Sequence, residues 1–251
     1  MTAVPKPDPN ILLKNVQFGF GSDEPILKVE EFAVSAAENV FVYGPSGSGK
    51  STLLGIIAGV LVPSGGAVSV MGQDLVGLSA ARRDRLRAEH FGVIFQQFNL
   101  VPYLDLVENV LLPCRFSYAR AKRVAESAKG REERARSMLV QLGLEKELSR
   151  GQVASELSTG QQQRVAAARA LIGSPSLIIA DEPTSALDTE TRSIFIETLL
   201  SEAEQASVIF VSHDLSLSTH FDREISISTI NRQQPNDSST RIDKVQQLEK
   251  F

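Results

Sequence analysis

The sequence predicts an α/β fold built around a phosphate-binding loop, and three observations carry that prediction. The stretch Gly44-Pro45-Ser46-Gly47-Ser48-Gly49-Lys50-Ser51-Thr52 fits G-x-x-x-x-G-K-[ST] at every fixed position. It lies between a strand-like run, Asn39–Tyr43, and an apolar helical run, Leu53–Ala58, which is the context the motif needs. Strands and helices alternate again from Ser176 to Val211, as in a parallel sheet covered by helices.

The loop itself states a chemistry. Glycines let the backbone turn tightly and bring its N–H groups close to a phosphate chain, and the following helix N-terminus supplies more of them. Lys50 reaches the outer phosphates as a point charge, and the Ser51 hydroxyl suits a magnesium ion. A nucleoside triphosphate is therefore the expected ligand.

Taken in order, Ile11–Phe18 and Ile26–Val34 read as strands with a Gly/Ser/Asp turn between them. Ala67–Met71 alternates like a strand and follows the turn signal Pro63-Ser-Gly-Gly66. Leu78–Glu89 reads as a helix whose Arg82, Arg83, Arg85 and Arg87 look like a solvated face. Phe91–Phe95 reads as a short buried strand. Strand signals then disappear from residue 99 to residue 172. Leu104–Leu111, Tyr118–Leu142 and Gln161–Ile172 have helical spacing, so a helical insertion is expected there. Ala119–Arg136 holds seven basic and three acidic residues and reads mainly as helix surface. Ser176–Ala180 and Ser207–Val211 are strands, Thr189–Ala203 is a helix, and Arg223–Thr229 alternates as an edge strand. Residues 231–251 are a polar tail, in which Ile242, Val245, Leu248 and Phe251 are spaced for a short docked helix. No internal repeat is visible.

Composition narrows the function classes. With 42% hydrophobic residues, the 251-residue chain can bury a sizeable core. A net charge of −4 and a pI near 5.5 argue against a nucleic-acid partner. The lone Cys114 cannot form an internal disulfide and reads as a small core residue. Met1–Asn10 holds three prolines and no apolar run, unlike a signal peptide. The longest apolar run, Leu53–Val62, is about half of the ~20 residues that span a bilayer, so any membrane role is expected to go through a partner.

Four further segments carry chemistry. Leu177-Ile-Ile-Ala-Asp181-Glu182 is an apolar strand ending in two carboxylates that point to opposite sides. Asp181 is placed to face a magnesium ion and Glu182 an attacking water, as a general base. His213 follows the strand Ser207–Val211 at its C-terminal end, where open α/β sheets bind ligands, and can contact the terminal phosphate and orient Glu182. Gln96 ends the Phe91–Phe95 strand in the same way, where an amide can touch magnesium and water, with Gln97 as its rival. Leu157-Ser158-Thr159-Gly160-Gln161 opens a helix with good N-cap residues and so forms a second anion site. Two half-sites on one chain suggest a two-fold dimer, each phosphate loop facing the partner's Ser158–Gln161.

These segments, with Ser185-Ala-Leu-Asp188, occur in the order and spacing of ATP-binding-cassette (ABC) ATPases, and the resemblance runs from about Ile11 to Ile230. It implies a RecA-like phosphate-loop NTPase core, an antiparallel β subdomain and an inserted helical subdomain, all within residues 1–230. It also implies ATP and Mg2+ as ligands, with two ATP molecules sandwiched between two chains. Phe20 matches the aromatic residue that stacks on adenine, usually a tyrosine in the family. Thr159 replaces the usual glycine of the signature, while Ser158 and Gly160 are intact. Asp188 matches the loop that links the two sites across the dimer.

A finer resemblance is to the lipoprotein-release and macrolide-export ATPases, carried by Phe95-Gln-Gln-Phe-Asn-Leu-Val-Pro102, Glu108-Asn-Val-Leu-Leu-Pro113 and Gly160-Gln-Gln-Gln-Arg-Val-Ala166. It implies a separate integral-membrane permease subunit driven from the cytoplasmic face of the inner membrane. The alternative within the family is a regulatory ATPase that passes force through a permease-like protein to cell-wall enzymes without transport.

Overall fold

A computed structural model describes residues 9–21, 25–126 and 130–232 of the chain. The C-terminal tail beyond 232, including the expected docked helix with Ile242, Val245, Leu248 and Phe251, lies outside the described residues.

Two sheets follow from two kinds of strand pattern. β1 (Ile11–Phe18) buries Ile11, Leu13, Val16 and Phe18 and turns Lys14 and Gln17 outward, as a sheet with one covered face requires. It pairs antiparallel with β2 (Leu27–Val34) on one side. Strand β3 (Asn39–Tyr43) leaves for the second sheet. After α1 (Lys50–Ile57), β4 (Gly65–Val70) pairs antiparallel with the other side of β1, and the short β5 (Gln73–Asp74) completes the order β2-β1-β4-β5. The register between β1 and β4 shifts between Lys14 and Gln17, a bulge around Asn15, whose φ of 51° an asparagine tolerates.

Beyond α2 (Ala80–His90) lies β6 (Phe91–Ile94), and then the helices α3 (Leu106–Leu111), α4 (Pro113–Phe116), α5 (Tyr118–Ala125), α6 (Arg131–Gln141), α7 (Glu145–Ser149) and α8 (Thr159–Leu171). The chain returns through β7 (Leu177–Asp181), α9 (Thr189–Glu202), β8 (Ser207–Val211), β9 (Arg223–Ser226) and α10 (Ile227–Ile230). The second sheet is parallel throughout, in the order β6-β7-β8-β3-β9.

Its strands are apolar on both faces because both faces are covered. Val40, Val42, Ile179, Ile209 and Val211 join the core shared with the antiparallel sheet and α1. Their neighbours Phe41, Ile178, Ala180, Val208 and Phe210 join the core shared with α3, α6, α8 and α9. A strand with period-2 side chains thereby glues two different layers to one sheet.

Five expectations need correction. The run 118–142 forms two helices, with Gly130 in the left-handed region at φ 79° before the second. Its charges are not all solvated. Arg120 is 2% exposed and donates to Ala170 O, Ile172 O and Phe91 O, and Arg123 donates to Gly173 O and Glu89 O. In α2, Arg87 likewise turns inward to Ala58 O and Gly59 O. In each case the guanidinium satisfies carbonyls left over at a helix C-terminus, which have no partner within their own helix. The edge strand ends at Ser226, because Ile227 and Ile230 turn into α10 and are buried beneath the phosphate loop. Finally, Asn231, read as the start of the loose tail, is anchored by hydrogen bonds described below.

Candidate nucleotide and metal site

All strands of a parallel sheet end on one side, and four of these ends meet here. β3 runs into the loop Gly44–Gly49, β7 into Asp181–Glu182, β8 into His213 and β6 toward Gln96. Such a crevice at the carboxyl ends of the strands is where open α/β sheets take their ligands.

The loop is built by close approach. A Cβ at Gly44 would lie 2.3 Å from Ile227 Cγ2, so α10 can pack against the loop only because that position is glycine. Gly47 and Gly49 have φ of 76° and 96°, conformations that side chains disfavour. Ser48 Oγ closes the loop by donating to Pro45 O at 2.7 Å. Pro45 and Ser46 form its outer arm, and Lys50, Ser51 and Thr52 open α1, whose first N–H groups point into the loop. The Lys50 ammonium donates to Gly44 O and Pro45 O, both at 2.8 Å. Burial lowers its pKa from the ordinary lysine value, and the charges of Glu182 and Asp181 oppose that shift.

The Ser51 hydroxyl donates to Asp181 Oδ2 at 2.8 Å, bringing the two expected magnesium ligands together. Burial raises the Asp181 carboxyl above its usual value; the Ser51 hydrogen bond opposes this, Glu182 adds to it and Lys50 opposes it. Glu182 follows at φ 48°, a left-handed residue just past the strand. Its Oε2 lies 2.9 Å from His213 Nδ1, which donates to it when protonated. The Glu182 side chain is 15% exposed and that of His213 is 71% exposed, so the imidazole covers the carboxylate on the open side.

β6 ends at Ile94, two residues before Gln96. Ile94 pairs with Ala180, so Gln96 leaves the sheet level with Glu182, in an exposed turn. That turn contains Phe98 and Asn99 at φ of 56° and 48°. Arg169 of α8 grips it, donating to Asn99 O at 2.6 Å and to Phe98 O. Among the described residues Arg169 has no acidic partner at that end, and burial pushes its pKa down to about 10.

The second half-site is a capping box. Ser158 Oγ accepts from Gln161 N at 3.3 Å, and Gln161 Oε1 accepts from Ser158 N at 2.8 Å. Gln161 Nε2 also donates to Glu147 Oε1. Thr159 and Gly160 are the first helical residues of α8. Asp188 caps α9, accepting from Thr191 N and Thr191 Oγ1, both at 2.9 Å. Phe20 is half-buried and meets Phe18 edge to face at 5.1 Å between ring centroids. Within one chain the structure thus gathers the phosphate loop, Asp181, Glu182 and His213, and gives Ser158–Gln161, Asp188 and Phe20 their own settings.

The sequence profile of the ABC transporter family matches residues 27–185. The chain belongs to the ABC transporter family. It is an ATP-binding subunit, and ATP hydrolysis coupled to transport is its activity. This ABC chain is 43% identical, over 79% of its length and 84% of the relative's, to the ABC transporter ATP-binding protein YbbA of Escherichia coli K12. It is 38% identical to the lipoprotein-releasing system ATP-binding protein LolD of Hydrogenovibrio crunogenus, over 81% of this chain and 86% of that one. It is also 38% identical to the macrolide export ATP-binding/permease protein MacB of Haemophilus ducreyi, over 87% of this chain and 31% of that longer one. The solved dimeric, post-hydrolysis cassette MJ0796 bound to ADP and Pi superimposes with a TM-score of 0.76 at 38% identity, covering 86% of this chain and 93% of that one. The ABC ATPase is thus an α/β protein of the phosphate-loop NTPase fold.

Sequence reasoning missed two residues of the cassette. Asn231 donates to Ser48 O at 3.2 Å and Ile26 O at 3.1 Å and accepts from Lys28 N at 2.9 Å, tying the phosphate loop to the start of β2. Its partners are 183 to 205 residues away, so no local pattern signals it. Gln163, on α8, is fully buried. It shares a helix face with Ala166, Ala167 and Ala170, and a polar residue on an apolar stripe was a readable signal.

Proposed function

We propose that this chain works as a homodimer of ATPase subunits that drives a separate integral-membrane permease from the cytoplasmic face of the membrane. The observation that carries the reading is the convergence of Lys50, the Ser51–Asp181 pair and the Glu182–His213 pair on one edge of the parallel sheet. In this reading residues 1–230 are the ABC ATPase domain, with the helical subdomain at about 99–172 and a tail at 231–251. The amides of Gly44–Thr52 and Lys50 hold the phosphates, and Phe20 stacks on adenine.

The donor set fits Mg2+. A hydroxyl and a carboxylate oxygen 2.8 Å apart are hard ligands, and magnesium prefers one or two protein oxygens with phosphate oxygens and waters in its other positions. Ser51, Asp181 and Gln96 are the residues that would hold it. When bound, the ion neutralises charge developing on the phosphates. Glu182 takes a proton from the attacking water as the water oxygen bonds to the terminal phosphorus, the bond from that phosphorus to the bridging oxygen breaks, and ADP and phosphate leave. His213 orients Glu182, and Gln96 orients the water.

Ser158, Thr159, Gly160, Gln161 and Asp188 face the partner's ATP in this account. The dimeric state of the MJ0796 cassettes supports it. No helix among the described residues is long and apolar enough to cross a membrane. The relatives named for lipoprotein release and macrolide export support an export or lipid-extraction role.

The permease is expected against the segment from Gln96 to Pro113. Within it Leu106 is 2% exposed and belongs to the helical core, so it is no contact. Tyr103 within it, and Phe116 and Tyr118 just after it, are instead 77%, 73% and 85% exposed, and this reading takes them as the contacts. Purification of the tagged chain from detergent-solubilised membranes tests this. It is expected to bring down a multispan membrane protein, and Tyr103→Asp with Tyr118→Asp is expected to lose that protein while keeping ATP binding. Recovery of the wild-type chain without a membrane partner, or with nucleic acid, contradicts it.

A further inference from the structure

Gln163 has no exposed surface, and a buried amide needs partners for both its ends. Its Nε2 donates to Glu182 O at 3.2 Å, and its Oε1 accepts from Ala186 N at 3.3 Å. Both partners lie in the short segment that joins β7 to α9. Glu182 sits there at φ 48°, a conformation that a non-glycine residue keeps only when its surroundings hold it.

The Glu182 backbone is held from two sides. Its N–H donates to Val211 O of β8 at 3.0 Å, and its C=O accepts from Gln163. With both peptide groups held, the Cα–Cβ bond from which the side chain reaches His213 is aimed as well. The same helix touches the same segment once more: a Cβ at Gly160 would lie 3.1 Å from Ala186 O and 3.2 Å from Leu187 Cδ2. Helix α8 therefore contacts residues 182–187 through its first two turns, immediately after the Ser158 cap.

We propose that Gln163 is a positioning residue. It sets the Glu182 carboxylate for attack on water and couples that setting to the Ser158–Gln161 anion site at the start of its own helix. The inference rests on the reading of Glu182 as general base. In the dimer, Ser158–Gln161 serves the partner's ATP, so a shift of α8 when that ATP binds or leaves would be felt at Glu182 of the same chain. Gln163 would thereby carry the state of one ATP site to the other.

The test is a double-mutant cycle on the full chain with Mg-ATP, in steady-state and single-turnover assays. Gln163→Met keeps the length and removes both hydrogen bonds. Gln163→Glu keeps the acceptor for Ala186 N–H and loses the donor to Glu182 O. Each variant is expected to lower kcat by about 10- to 100-fold, the scale of a slightly misplaced catalytic group, while the KM for ATP stays within about twofold. In a Glu182→Gln background the same changes are expected to leave the residual rate unchanged within about twofold, because the group they position is gone. A folded variant with wild-type kcat overturns the proposal. An equal fall in both backgrounds, or a rise in KM matching the fall in kcat, also overturns it and assigns Gln163 to the fold alone. Wild-type turnover in Glu182→Gln by itself is a separate outcome, which removes the base assignment on which the proposal stands.

Discussion

The Ser51 hydroxyl donates to the Asp181 carboxylate across 2.8 Å, although 130 residues separate the two in sequence. This contact joins the phosphate loop to the end of β7, with β8 lying between their strands in the sheet. If these two oxygens hold the metal, Asp181→Asn keeps the shape and removes the charge. The magnesium concentration for half-maximal ATPase activity is then expected to rise by about 10- to 100-fold. An unchanged magnesium titration would move the metal away from Asp181.

If Phe20 stacks on the adenine, it offers a ring face and no hydroxyl. Every base has a π-face, so ATP and GTP are expected to bind with similar affinity. Phe20→Ala is expected to weaken both by about 1–3 kcal/mol, the range for base–aromatic stacking. Isothermal titration with the two nucleotides checks this, and an unaltered affinity takes Phe20 out of the site.

Arg120 is a structural counterpart to these. Its guanidinium serves three buried carbonyls and stays charged at neutral pH, although burial pushes its pKa down to about 10. Arg120→Met leaves those carbonyls unsatisfied, at about 1–3 kcal/mol each before relaxation. A loss of about 3 kcal/mol in urea-unfolding stability is expected, and a change below about 0.5 kcal/mol would show that the carbonyls find other partners.

What the sequence made legible follows from local periodicity. The strands around Phe41, Ile179 and Ile209 announce themselves because both faces are apolar, and the phosphate loop does so because its glycines and lysine stand at fixed spacing. Arg87, Arg120 and Arg123 could not be read this way. Charge in a helical run looks solvated until the helix ends whose carbonyls it caps are known, and those ends come from distant segments. Ile225 and Ile227 alternate as a strand would, yet space beneath Gly44 draws Ile227 into α10. At the site, Asp181, Glu182 and His213 were visible as strand ends, whereas Gln163 stands in a run of three glutamines and is singled out only by the apolar helix face it shares with Ala166, Ala167 and Ala170.

Asp188 makes a pH prediction. Hydrogen bonds from Thr191, first its backbone N–H and then its hydroxyl, hold this carboxyl below its ordinary value of 3.8. A carboxyl with a lowered folded-state pKa stabilises the fold above its unfolded value and loses that contribution as pH falls through the folded one. Asp188→Ala is therefore expected to melt below the wild type at pH 7, with the gap closing as the pH falls below 3.8. A gap that does not narrow at all as the pH falls below 3.8 would mean that the charge on the cap contributes nothing.

The central claim is that Glu182, 2.9 Å from His213, is the base, and that ATP is hydrolysed between two chains. Glu182→Gln keeps size and hydrogen bonding and removes the base, while Lys50 and the Ser51–Asp181 pair still hold ATP. Size-exclusion chromatography of Glu182→Gln with Mg-ATP, with turnover measured on the same sample, tests both halves at once. The account predicts a stable ATP-bound dimer, turnover reduced by about 10²- to 10⁴-fold, and a monomer when ADP replaces ATP. A monomer in Mg-ATP that hydrolyses at the wild-type rate would contradict it.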